Sequence, residues 1–142
     1  MNLADMRIED LLPHRDRMVL IDTMLAVDAR QAVTAATVTE RWPFFNGRTV
    51  NSLVLIELVA QTAGISNSLG GKQKHGSAYE TKGWLVGIKQ SRFHIGSIPL
   101  GTRIITRTHN RFEFENYREI AGTAEFASTI AAEVELQLIR SD

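Results

Sequence analysis

The stretch NSLVLIELVAQTAGISNSLGG, residues 51–71, decides the fold of this chain. Six of its residues recur at spacings of three and four and so share one stripe of an α-helix: Leu53, Ile56, Glu57, Ala60, Gln61 and Gly64. Four others broaden the apolar surface until little of the helix could face water: Leu55, Leu58, Val59 and Thr62. The pattern predicts a buried helix from Asn51 to about Leu69. Asn51 or Ser52 can cap its start, and Gly70-Gly71 is predicted to end it because glycine accepts the left-handed backbone of a C-cap.

The chain on either side of this helix is mainly typical of β-strands. A short helical turn ended by Pro13 comes first, and residues 18–28 and 31–40 then suit a hairpin. A polar loop is predicted at 72–82, followed by four strands: GWLVGIKQSRFHI (83–95), TRIITRTHNRFEF (102–114), NYREIAGTAEFA (116–127) and TIAAEVELQLIR (129–140). Because helices do not alternate with strands, we expect an α+β fold in which one curved antiparallel sheet of about six strands wraps around the central helix.

Length and composition exclude several classes of protein. A chain of 142 residues is expected to form a single domain, 1–142. Equal numbers of basic and acidic residues, 16 of each, give no net field that would attract nucleic acid or an anionic membrane. The absence of cysteine excludes disulfides and a cysteine nucleophile. The N-terminus does not resemble a signal peptide, and no apolar run approaches the roughly 20 residues that span a bilayer, so a cytoplasmic protein is expected.

Glu57 is the strongest candidate for chemistry, because it is a carboxylate in a run that is otherwise short of charge. Burial in an apolar site disfavours the charged form of a carboxyl group and can turn it into a proton donor. A solvent gap or an arginine elsewhere in the fold would explain Glu57 equally well. Gln61 follows one helical turn later on the same face, where it could hold either the Glu57 carboxyl group or a substrate carbonyl.

The histidines, at 14, 75, 94 and 109, show no metal-ligand spacing, so no metal site is expected. The sequence also lacks a nucleophile elbow, a phosphate loop and a dinucleotide fingerprint, and no cofactor is expected. His14 suits a hydrogen-bonded structural role, and His75 and His109 suit solvated ones. His94, which lies in a strand just before a bend, is the best placed of the four to act as a general base. Lys72 and Lys74 suit a solvated helix end, or a contact with an acidic carrier protein.

Four segments together resemble the 3-hydroxyacyl-acyl-carrier-protein dehydratases of type II fatty-acid synthesis. The opening IEDLLPHRDRMVLIDTML resembles that family's Leu-Pro-His-Arg motif and the strand after it, and PFFNG resembles its Pro-Phe-Phe-x-Gly. LVLIELVAQTAG resembles its central-helix motif, and RFHIGSIPLGT resembles its strand that leads to a Pro-Gly bend. The shortened loop before the helix is similar to a divergent branch of predicted dehydratases, including members associated with aryl-polyene pigment pathways.

The resemblance implies a hotdog fold and a dimer whose sheets join edge to edge, with an acyl-carrier protein or CoA thioester as the partner. It implies that Glu57 is the catalytic acid, with Gln61 as a positioning group. It also implies that Gly47, Arg48 and Ser52 lie at the thioester-binding site, where backbone amides at the helix start polarise the carbonyl. In the family, a histidine of one subunit takes the C2 proton and the helix glutamate of the other protonates the departing 3-hydroxyl group.

One part of the family pattern is missing. The family continues from Phe-Phe-x-Gly into His-Phe-Pro-Gly, whereas here FFNG is followed directly by RTVNSLVLIE. About five residues are absent, and the catalytic histidine with them. Arg48 or Thr49 occupies the neighbourhood, and neither is a general base at neutral pH.

Three functions remain open from the sequence. The first is a lyase of the 3-hydroxyacyl dehydratase type that uses Glu57, with a base from His94 or from another chain. The second is a hotdog thioesterase, in which Glu57 activates water or attacks the thioester and no C2 base is needed. The third is a non-catalytic pseudo-dehydratase that binds acyl chains or completes a heterodimer. Homodimers and heterodimers with another hotdog subunit both stay possible.

Overall fold

The computed structural model of the protein describes residues 5–12, 18–79 and 82–141. Within these ranges there are two helices, α1 (Ile8–Leu11) and α2 (Val54–His75). The strands are β1 (Thr23–Val27), β2 (Gln31–Thr37), β3 (Thr49–Asn51), β4 (Lys82–Phe93), β5 (Ser97–Pro99), β6 (Arg103–Phe114), β7 (Tyr117–Phe126) and β8 (Thr129–Ser141). The Leu-Pro-His-Arg motif runs into residues 13–17, so His14 lies outside the described part of the chain.

Six strands form one antiparallel sheet in the order β1-β2-β6-β7-β8-β4, and β3 pairs with β5 in a separate two-stranded ribbon. The long helix α2 packs on one face of the large sheet, against β2, β6, β7 and β8. The predicted α+β architecture is therefore confirmed, with the predicted strands at their expected places. The β3–β5 ribbon was not predicted, because three residues are too few to show alternation.

The core lies between α2 and the sheet. Leu55, Leu58 and Ile65 of the helix are fully buried, as are Ile104 and Leu136 of the sheet. The helix approaches the sheet most closely where β7 carries Gly122, since a Cβ atom at this glycine would lie 2.5 Å from Cγ1 of Val59. This contact fixes the depth at which α2 sits on the sheet.

The C-terminal end of α2 differs from the prediction. Gly70 and Gly71 lie inside the helix, which continues to His75 and ends at Gly76, where φ is +105°. Gly70 is small for a packing reason instead, because a Cβ atom there would lie 3.2 Å from Cβ of Ala29. Lys72 is buried rather than solvated, and its ammonium group donates to the carbonyl oxygens of Ser77 and Tyr79, both at 2.9 Å. The first half of the predicted polar loop is therefore the last turn of the helix and its cap.

The sheet has two distinct faces. On β6, β7 and β8 the buried side chains alternate with side chains that are exposed or half-buried. The buried set includes Ile104, Ile120 and Val134 and faces α2. The opposite set faces away from α2, and we call this side the outer face. No helix of the described residues is long and apolar enough to cross a membrane.

Candidate functional site

Glu57 lies in the first turn of α2 and is half-buried. Its Oε1 atom accepts a hydrogen bond from Nε2 of Gln61 at 3.0 Å. Of the surroundings that the sequence left open for Glu57, the structure shows a partly exposed carboxyl group that is held by a neighbouring amide. The two residues that the helical spacing placed on one face therefore do interact.

Gln61 is 1% exposed and connects α2 to the segment after the N-terminal motif. Its Oε1 atom accepts from the backbone N–H of Leu20 at 3.0 Å, and its Nε2 atom donates to the carbonyl oxygen of Met18 at 2.7 Å as well as to Glu57. Three bonds fix the amide plane, so Gln61 sets the position of the Glu57 carboxyl group. Of the two roles that the sequence left open for Gln61, the structure shows it holding the carboxyl group.

Apolar surface extends from Glu57 towards the edge of the sheet. Ile56 and Ala60, beside Glu57 on the helix, pack against Val134 and Leu136 of β8. Leu136 pairs in register with Ile88 of β4, which is the last strand of the sheet on this side. Ile88 is 47% exposed. An apolar strip thus runs from the carboxyl group to β4, whose outer edge pairs with no other strand of the described residues.

The loop before α2 is a compact turn that bonds to itself. Oδ1 of Asn46 accepts from the backbone N–H groups of Arg48 and Thr49 at 3.0 and 2.9 Å, and the N–H of Asn46 donates to the carbonyl oxygen of Thr49 at 3.0 Å. Gly47 has a φ of +101° in this turn, and both Gly47 and Arg48 are exposed. Their predicted role in binding a thioester stays a prediction.

Most of the backbone N–H groups described at the start of α2 already donate hydrogen bonds within the chain. Leu53 is the N-cap residue, and its N–H group donates to Oδ1 of Asn51 at 2.9 Å. The N–H of Ser52, a buried residue, donates to the carbonyl oxygen of Gly96 at 3.1 Å, and the N–H of Leu55 donates to that of Ser52 at 3.0 Å. The amides of Ser52, Leu53 and Leu55 are therefore already bonded, so polarisation of a substrate carbonyl by these three groups would require these bonds to be exchanged.

The structure does not bring His94 to Glu57. Phe93 and Ile95, its neighbours in the chain, pack against the core, so His94 lies on the outer face. There its Nε2 atom lies 2.9 Å from Oε2 of Glu133 on β8. Glu57 is on the helix side of the sheet. Within one protomer, His94 therefore cannot take a proton from a substrate that is bound beside Glu57.

The other described histidines are also remote from Glu57. His75 is the last residue of α2, 18 positions and hence roughly 27 Å further along the helix at 1.5 Å per residue. His109 is an exposed residue of the outer face on β6. Among the described residues, no group of three or more acidic or histidine side chains could hold a metal ion.

A single antiparallel sheet packed on one long central helix is the arrangement of a hotdog fold. The model of the ApeP-like family, described as ApeP dehydratase, matches residues 6–142. The chain belongs to this family of divergent hotdog dehydratases.

Relatives agree with this assignment. A curated 3-hydroxyacyl-[acyl-carrier-protein] dehydratase from Streptococcus uberis is 34% identical over 109 residues, which cover 71% of this chain and 72% of the relative. A chain of the dehydratase heterocomplex ApeI:P from Xenorhabdus doucetiae superimposes with a TM-score of 0.85 at 19% identity, covering 96% of this chain and 92% of that one. A hypothetical thioesterase from Streptococcus pneumoniae, solved with coenzyme A, gives a TM-score of 0.67 at 8% identity, covering 84% of each chain. Likeness to these two solved structures shows the fold alone.

Two features of the site were not found from the sequence. The first is the double backbone anchor that Met18 and Leu20 provide for Gln61, which joins positions 41 or more residues apart. The second is the exposed apolar edge at β4. A signal for the edge was present in the apolar residues Leu85, Val86 and Ile88, which do not alternate as they would in a strand with one solvated face.

Proposed function

We propose that this protein is the acid-supplying subunit of a heteromeric 3-hydroxyacyl thioester dehydratase, in which Glu57 protonates the departing hydroxyl group. The observation that carries the proposal is a fixed carboxyl group at the end of an apolar strip, in a chain whose described histidines all lie elsewhere. In this proposal Glu57 supplies the acid, and a second hotdog subunit supplies the base.

The reaction needs two groups that act at adjacent carbons. A base removes the proton from C2, the C3–O bond breaks with its electron pair passing to oxygen, and an acid delivers a proton to that oxygen to release water. A double bond between C2 and C3 remains. Gln61 holds the carboxyl group of Glu57 through Oε1, so the proton would be delivered from a carboxyl group in a fixed position. Glu57 must then regain a proton before the next turnover.

The base would be a histidine on the loop that is shortened in this chain. The turn at 44–51 has no histidine, and the side-chain oxygen of Asn46 is bonded to backbone amides of the turn itself. A partner that keeps the longer Gly-His-Phe-Pro loop can supply the missing group if its loop reaches Glu57. Loss of a general base costs a rate factor of ~10²–10⁴, so the protein alone should be a weak catalyst.

The partner would add to the free edge of β4. An edge strand offers unpaired backbone N–H and C=O groups, and apolar residues on such a strand favour pairing with another chain. Leu85, Val86 and Ile88 are all about half exposed on β4. Pairing there would cover the end of the apolar strip and form a closed channel for an acyl chain. The ApeI:P neighbour is a dehydratase heterocomplex, which supports assembly with a second subunit.

The test is reconstitution with a hotdog subunit that carries the histidine loop. A 3-hydroxyacyl chain on acyl-carrier protein is incubated with each subunit alone and with the complex, and loss of water is followed by mass spectrometry. We expect the complex to exceed this chain alone by at least ~10²-fold in rate. Glu57→Gln in the complex should lower the rate by a similar factor, because the amide cannot donate an acidic proton.

Glu40→Gln is the matched control, since Glu40 is an exposed residue of the loop after β2. Full activity of the Glu57→Gln complex would show that Glu57 is not the acid. Full activity of this chain without a partner would show that the base is its own. Release of free thiol without water loss would identify a thioesterase instead.

A further inference from the structure

The outer face of the sheet carries side chains in straight rows across the strands. In the first row Arg107 of β6 pairs in register with Thr123 of β7, and Thr123 pairs with Glu133 of β8. In the second row, two residues away along each strand, His109 pairs with Ala121 and Ala121 pairs with Glu135. The small side chains thus lie on the middle strand and the long ones lie on both sides of it.

These two rows form a groove that follows β7. A cavity of about 430 Å³ lies between them, extends to Gln90 and Arg92 of β4, and is not lined by Glu57. The β6 side of the groove carries Arg107 and His109, and the β8 side carries two carboxylates, Glu133 and Glu135. Opposite charges therefore face each other across a floor of alanine, glycine and threonine.

We propose that this groove docks on the same groove of a second copy of the chain, about a two-fold axis that runs along β7. Such an axis places β6 of one copy over β8 of the other while keeping the position along the strands. Arg107 of each copy then lies over the partner copy's position 133, and His109 over position 135. The charges are complementary in both halves of the contact at once.

Two further rows, one towards each end of the sheet, place apolar side chains over one another about the same axis. Towards the β6–β7 turn, Phe114 pairs with Tyr117 and Tyr117 with Ile139, so exposed Phe114 would lie over Ile139 of the second copy. Towards the other end, Ile105 pairs with Glu125 and Glu125 with Ile130. Ile105 would therefore lie over Ile130. Apolar side chains therefore meet at both ends, and Arg107 meets Glu133 in the middle. Glu119 and Glu125 lie on β7 itself and so over their own copies, and each has a cation in its own chain, Lys89 at 3.2 Å and Arg107 at 3.3 Å.

The ion pairs within one chain are compatible with this contact. Arg107 uses Nε to reach Glu125 at 3.3 Å, and Glu133 uses Oε2 to reach His94 at 2.9 Å. Arg111 bonds to Glu135 from the β6 side. The principal charge pair between copies is therefore Arg107 with Glu133, since Glu135 is already paired with an arginine.

The size of the face is sufficient for a stable contact. Strands about 4.8 Å apart and residues about 3.4 Å apart give the three strands β6, β7 and β8, which the axis places over one another, a projected face of roughly 600 Å². Side chains that interdigitate bury more than the projected area, and a standard interface buries about 800 Å² per partner. Packed sheets commonly keep their strand directions within about 30° of each other, so an axis close to the direction of β7 is compatible with aligned packing.

The test is a charge-reversal series on the purified full chain, with mass measured by light scattering and native mass spectrometry. Arg107→Glu and Glu133→Arg should each halve the mass of the wild-type assembly, because like charges then meet in both halves of the contact. Mixing the two single variants should restore the full mass, with one copy of each variant in every face-to-face pair. The double variant Arg107→Glu/Glu133→Arg should regain the wild-type mass by itself.

Lys74→Glu and Glu40→Arg are matched charge reversals at exposed positions away from the groove, and they should leave the mass unchanged. Circular dichroism of each variant checks that the chain is folded. A wild-type mass equal to that of the single variants would overturn the proposal. So would failure of the mixed variants to recover mass while both remain folded. Neither result bears on Glu57, because this contact is on the face away from α2.

Discussion

At the scale of single residues, the pairing of Glu57 with Gln61 is the part of the site that the sequence could predict. A spacing of four on a helix brings two side chains together whatever the rest of the fold does. The backbone atoms of Met18 and Leu20 complete the arrangement, and they reach Gln61 only because the whole chain folds. The Glu57–Gln61 contact can be predicted from the local sequence, whereas the bonds that Gln61 makes to Met18 and Leu20 depend on tertiary packing.

Replacing Gln61 should weaken both stability and catalysis. Gln61→Leu leaves the N–H of Leu20 unpaired in a buried setting, at a cost of about 1–3 kcal/mol, and also removes the bond to the Met18 carbonyl. Urea unfolding should therefore show a clear loss, and activity in a reconstituted complex should fall through kcat more than KM because the carboxyl group is no longer fixed. Gln73→Leu, at an exposed position of the same helix, should change stability little. Equal effects of the two variants would contradict the anchoring role.

Lys72 provides a second prediction at this scale. Its ammonium group holds the segment after α2 by donating to the carbonyl oxygens of Ser77 and Tyr79, so Lys72→Met should lower the free energy of unfolding by about 1–3 kcal/mol. Lys74→Met, two positions later and exposed, should stay within about 0.5 kcal/mol of wild type. Chemical denaturation of the two variants side by side measures the difference. Indistinguishable unfolding midpoints would show that the two bonds of Lys72 contribute nothing to stability.

At the scale of elements, the strands could be predicted well and the end of the helix could not. Alternation identified β8 because each of its faces meets a different environment along its whole length. Gly70-Gly71 was interpreted as a helix stop, although Gly70 is required by the close approach of Ala29. A glycine that ends a helix and a glycine that lets a neighbour approach look the same in sequence. Only the packing distinguishes them.

The turn between β7 and β8 allows a stabilising change. Ala127 and Ser128 both have positive φ, +51° and +61°, between the paired residues Phe126 and Thr129. Two residues with positive φ are the mark of a type I′ hairpin turn, for which Asn-Gly is preferred. The left-handed backbone costs roughly 1–2 kcal/mol per ordinary residue. Ala127→Asn/Ser128→Gly should therefore raise the free energy of unfolding by about 1–2 kcal/mol, and an unchanged or lower thermal midpoint would refute this.

At the scale of the whole molecule, the sequence indicated the family but not the assembly. The motifs around Glu57 lie in continuous stretches, so a resemblance can detect them. The rows of the outer face join residues of three strands that lie up to about thirty positions apart, and they exist only once the strands are in register. The equal numbers of acidic and basic residues, 16 each, suggested no charged partner. The strand register nevertheless places Arg107 and His109 on one side of the groove, and Glu133 and Glu135 on the other.

The edge of β4 gives the last prediction, because it separates the two interfaces. Ile88→Lys places a charge on the apolar edge strand, which should prevent strand pairing with a second hotdog subunit and abolish the activity gained by reconstitution. Leu25→Lys is the matched control, since Leu25 is similarly exposed on β1, the strand at the opposite edge of the sheet. Combining Ile88→Lys with Arg107→Glu should give a folded monomer, whereas Ile88→Lys alone should keep the contact between outer faces. Reconstituted activity that survives Ile88→Lys but is lost in Leu25→Lys would show that the subunit interface lies at β1 and not at β4.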